Sequence, residues 1–101
     1  MPSSMDDAFD LYGPYWRLMK DGPADEALRR VVELADEAPD DVHLAALAVA
    51  LLEPLVDIHW EELLPALKVA LGRSSNLREA YRGSNPHVPD EVAAQLNDLA
   101  R

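Results

Sequence analysis

The segment Asp57-Ile58-His59-Trp60-Glu61-Glu62 places a histidine, an indole and three carboxylates within six residues. On a helix His59 and Glu62 lie one turn apart, a spacing at which an imidazole and a carboxylate can share a metal ion or a substrate. A carboxylate metal centre between helices needs several such pairs, and His43 and His87 have no matching Glu-x-x-His partner. The segment therefore reads as a helix start, with its acids favourably placed against the helix dipole, Trp60 in the core and His59 at the surface. No metal, cofactor or catalytic residue is expected.

Glu53 interrupts an otherwise apolar stretch, which draws its carboxylate partly inside, and a buried carboxylate must be paired or hydrogen-bonded. Arg73, Arg78 and Arg82 are candidate partners, and a structural ion pair of Glu53 with Arg78 is expected. His43, three residues after Asp40, is read as interacting with a helix N-terminus. Ser74 and Ser75 lack the strand-to-helix elbow of a nucleophilic serine and read as a cap. No strand is followed by a Gly-rich loop, so nucleotide-cradling motifs are absent. From Lys68 to Arg82 four bases, Lys68, Arg73, Arg78 and Arg82, stand against the single acid Glu79. Two readings are open: a small anion site at a short helix N-terminus, or arginines that answer acids of the preceding helices.

Charge bounds the function. Between Val31 and Leu67 the chain has nine carboxylates and no lysine or arginine, within a net charge of -10. Such a field steers cations and basic protein surfaces over about 8–10 Å at physiological salt and disfavours nucleic acid and anionic lipid. A basic protein partner is expected, with no direct nucleic-acid or membrane contact. The first function class is an acidic inhibitor or immunity-type protein that covers the basic cleft of a toxin or nucleic-acid-handling enzyme. Its partner surface would be Glu33, Asp36, Glu37, Asp40, Asp41, Asp57, His59, Trp60, Glu61 and Glu62, with Trp60 or Tyr15 as aromatic anchor. The alternative is a self-associating structural or adaptor domain, a homo-oligomer without enzymatic activity. For it Phe9, Tyr12, Tyr15 and Trp16 discriminate, since exposed they mark an interface and buried a core.

The elements that must position these residues are helices. At 101 residues the chain suits a single domain over 1–101, with aromatics at 6%, no threonine and no cysteine. The fold class is all-α, a bundle of five or six short antiparallel helices, and the cysteine-free composition suits a reducing cytoplasm. The acidic start Met1 to Asp7 lacks the basic and apolar regions of a secretory signal. Val42 to Leu52 is too short to span a membrane, which takes about 20 apolar residues. Ser4 is expected to cap a first helix with Met5, Phe9, Tyr12, Trp16 and Met19 on one face, interrupted at Gly13-Pro14. A second starts at Pro23 and buries Ala27, Leu28, Val31, Val32 and Ala35 until Pro39. Asp40 caps the central helix, whose Leu44, Leu47, Ala48, Leu51, Leu52 and Leu55 form the main stripe, with an apolar opposite face that calls for helices all round. Pro54 and Pro65 each kink or split the helical stretch around them, and Gly72 stops it. Asn76 with Glu79 caps a short helix, and Pro89-Asp90-Glu91 starts the last.

Ala50-Leu51-Leu52-Glu53-Pro54-Leu55-Val56 resembles the Gly-Pro-Leu-Glu-Asp-Leu-Leu helix of a family of small bacterial domains of unknown function. Leu63 to Arg73, Leu77-Arg78 and Pro89-Asp90-Glu91 are similar to that family's following helix, its Phe-Arg segment and its Pro-Asp-Glu helix start. The leading Gly-Pro is missing, Pro54 stands for the Asp and Leu77 for the aromatic. Over residues 47–99 the resemblance implies a helical fold that retains Glu53 as an acid, and it implies no particular activity.

Overall fold

Proline and glycine divide the first amphipathic stretch as their chemistry requires. The computed structural model describes residues 5–101, and the expected Ser4 cap lies outside them. Helix α1 (Met5–Tyr12) passes through a tight 3₁₀ turn at Gly13–Tyr15 into α2 (Trp16–Asp21). Pro14 sits at the start of that turn, where its missing N–H and fixed φ are tolerated. Gly22 then allows a close return: a Cβ there would stand 2.7 Å from the Leu18 carbonyl oxygen. Helix α3 (Ala24–Glu37) follows Pro23, carries Asp25 and Glu26 in its first turn and buries Ala27, Leu28, Val31 and Ala35.

Asp40 caps α4 (Asp41–Leu47) as its position predicts, its carboxylate accepting the His43 N–H at 2.9 Å. A π-helical turn, Ala48–Leu52, joins α4 to α5 (Glu53–Arg73), and the Glu53 N–H reaches back five residues to the Ala48 carbonyl. In a regular α-helix Pro54 would collide with the carbonyl four residues before it, and the wider turn relieves that conflict. Pro65 lies inside α5 on an exposed side without splitting the helix. The 33 residues from Asp41 to Arg73 are long and apolar enough to cross a membrane by length and composition, yet half of the apolar window is buried inside the fold. The far end of the rod meets α3 through Ser74 and Asn76.

Helix α6 (Ser75–Arg82) and α7 (Asp90–Leu99) complete an all-α bundle, with no strand among the described residues. Leu44, Leu47, Ala48, Leu51, Leu52 and Leu55 are all buried, together with Leu63, Leu67, Leu71, Leu77 and Leu96. The opposite face of the central helix is not covered all round as expected, because Val49 is 47% exposed.

Helix C-termini are closed by side chains from elsewhere in the chain. His59 Nε2 lies 3.0 Å from the Met19 carbonyl near the end of α2, and Asn76 donates to the Ala35 carbonyl of α3 at 2.9 Å. Arg78 donates to the Leu71 carbonyl of α5 at 2.9 Å, and Arg82 to the Ala100 carbonyl after α7 at 2.8 Å. The last carbonyls of a helix lack an α-helical donor, and these bonds supply one to Met19, Leu71 and Ala100, while the Ala35 carbonyl also accepts the Ala38 N–H at 3.2 Å. Gly72 is thus not the terminator. It lies inside α5, no glycine among the described residues has positive φ, and extended Ser74 ends the helix. Ser74, not Asn76, caps α6: its Oγ accepts the Leu77 N–H at 3.0 Å and donates to Asp36 at 2.7 Å.

Candidate partner-binding groove

Carboxylates at Glu53, Asp57 and Glu61 recur every four residues, which places them along one face of α5. The first two enter an open groove of about 630 Å³ between the α1–α2 junction and the stretch where the π-helical turn runs into α5. Its walls are Phe9, Gly13, Trp16, Val49, Ala50 and Pro54. Trp16 is 48% exposed, and the Lys20 ammonium stands 5.0 Å from the centre of its ring, a cation–π distance. Aromatic and aliphatic walls beside two carboxylates, with no base among the lining residues, suit a cationic group that carries apolar flanks.

The same two carboxylates hold the segment between α6 and α7. Glu53 accepts the Asn85 N–H at 3.4 Å, Asp57 accepts the His87 N–H, and the His87 ring lies 3.3 Å from the second Asp57 oxygen. Glu53 does not pair with Arg78. The Arg78 guanidinium is committed to the Leu71 carbonyl, and Glu53 turns toward the Asn85 backbone instead. Arg82 likewise answers a carbonyl, not an acid.

The expected partner surface divides. Asp36 is bound by Ser74, Asp40 by His43 at 2.7 Å to the ring nitrogen, and Glu33 pairs with Arg30 at 3.2 Å on the surface. His59 closes α2, and Trp60 is half-buried against the core, so neither stands out as a free contact. Glu37 and Asp41 remain exposed near the α3–α4 corner, while Glu61 and Glu62 are exposed on α5. No group of three metal-ligating side chains gathers among the described residues. Of the four aromatics that discriminate core from interface, Tyr12 is buried, Phe9 and Tyr15 are half-buried and Trp16 is exposed. The Tyr12 ring packs edge-on to His43 at 6.2 Å, and its phenol is raised above its usual pKa by burial and further by the Asp40 charge. Burial also raises the Tyr81 phenol.

The groove's place is partly written in the four-residue spacing of Glu53, Asp57 and Glu61, a signal that the longer run of acids from Glu33 to Glu62 masks. No family model matches the chain, and no curated protein or solved structure does either.

Proposed function

We propose that this chain is an acidic protein-binding module that holds a basic, partly apolar segment of a partner protein in the groove between Phe9 and Trp16 on one side and Val49, Glu53 and Asp57 on the other. The observation that carries the reading is Trp16, an indole half open to solvent beside two carboxylates. An aromatic residue so placed supplies a binding anchor, and the surrounding net charge of -10 speeds and orients the approach of a basic surface. By covering such a surface the module acts as an inhibitor or immunity-type protein toward a basic, nucleic-acid-handling or toxin partner.

Capture of partners from native extract at low and at high salt, with parent and Trp16→Ala baits in parallel, tests the reading. One basic protein should be retained by the parent, weakened by salt and lost with the variant. Equal capture by both baits would reject the groove as the binding surface, and capture indifferent to salt would reject the electrostatic part.

A further inference from the structure

Charges of both signs line a second cleft, between α3 and α5. This groove, of about 430 Å³, has Leu28, Val32 and Val69 in its floor, with Asp25, Arg29, Glu33 and Arg73 among the residues that line it. Val69 is 53% exposed there. Asp25, Arg29 and Arg73 make no side-chain hydrogen bond or ion pair among the described residues, and Glu33 meets only Arg30 in an exposed pair of the kind that contributes little. No residue of this groove lines the first.

We propose that this face binds a second copy of the chain, as a two-fold pair in which Val32 and Val69 of the two copies meet and the acids Asp25 and Glu33 of each face Arg29 and Arg73 of the other. A two-fold interface brings a patch against itself, so a patch of one sign repels its copy while a patch of both signs complements it. That distinction decides the occupant here. With a net charge of -10 two copies repel in general, and this edge, with two acids and two bases, is locally neutral around an apolar floor. A uniformly basic segment would oppose Arg29 and Arg73, and a uniformly acidic one Asp25 and Glu33. The pair leaves the residues of the Trp16 groove outside its contact, so each dimer presents two such grooves.

Sedimentation equilibrium of the full chain, up to about 1 mM so that weak specific association registers, tests the pairing with two edge variants. Arg29→Glu with Arg73→Glu makes the edge wholly acidic, and Asp25→Lys with Glu33→Lys makes it wholly basic. Circular dichroism checks that both retain the parent's helicity. The parent should dimerise, each variant alone should be monomeric, and an equimolar mixture of the two should recover a dimer with one copy of each. Val69→Asp should abolish the parent's dimer as well. A monomeric parent over the whole range, dimerisation of either variant alone, or a mixture that stays monomeric would overturn the proposal.

Discussion

Replacing Ser74 by alanine removes two bonds at one atom and so tests the closure of the long rod on α3. The Oγ caps α6 through the Leu77 N–H at 3.0 Å and holds Asp36 at 2.7 Å. Loss of an N-cap costs about 1 kcal/mol. A hydrogen bond to a charged group contributes about 1.5–3 kcal/mol, reduced here to about 1 because the exposed Asp36 carboxylate regains water. The sum is about 2 kcal/mol. With an unfolding entropy near 2.1 cal/mol/K per residue, a chain of 101 residues should lose about 10 °C in Tm. Thermal melts followed by circular dichroism read this directly. Ser74→Thr, which keeps the hydroxyl, should recover most of the loss, and a double cycle with Asp36→Ala should show coupling of about 0.5–1 kcal/mol. A Tm for Ser74→Ala within about 2 °C of the parent would refute the reasoning.

Three further outcomes rest on the same geometry. Tyr12 and Tyr81 have folded pKa values raised above the usual 10.0, so folding favours their neutral forms. That stabilisation is fully present below pH 10 and is lost as pH rises through the folded values. Urea titrations should therefore show stability falling above pH 10, with a shallower fall when both are phenylalanine. Gly22→Ala should lower Tm by about 5–10 °C, for about 1–2 kcal/mol, because its Cβ meets the Leu18 carbonyl oxygen at 2.7 Å; an unchanged melt would contradict the close approach. Asp57→Ala frees the His87 N–H, so amide exchange at His87 should quicken by about fivefold, for a bond of about 1 kcal/mol, and unchanged exchange would show that Asp57 does not hold the segment.

Features that depend on local chemistry were legible in the sequence. The Asp40 cap, the starts after Pro23 and Pro89, and the Leu44 to Leu55 stripe all arise from neighbours within a turn or two. Features set across the fold were not. Gly72 is the stronger local stop signal, but Ser74 ends the helix with help from Asp36, 38 residues away in the chain. Arg78 and Arg82 have the chemistry to partner acids, and only the folded positions of the helix ends show that backbone carbonyls take them. Trp16 falls on the buried face by α-helical spacing from Phe9 and Tyr12. The 3₁₀ turn at Gly13–Tyr15 advances about 120° per residue instead of about 100°, so three residues rotate Trp16 by about 60° out of the core. The nine acids between Val31 and Leu67 read as one surface, yet capping and tertiary bonds engage several of them, Asp36, Asp40 and Asp57 among them.

Chemical-shift mapping of the isotope-labelled chain against a synthetic lysine-rich amphipathic peptide tests the central claim most directly. Binding in the groove predicts that shifts centre on the Trp16 indole, Phe9, Gly13, Val49, Glu53 and Asp57, and shrink as salt is added. Shifts confined to the corner from Glu33 to Asp41, or no saturable shifts at all, would contradict it.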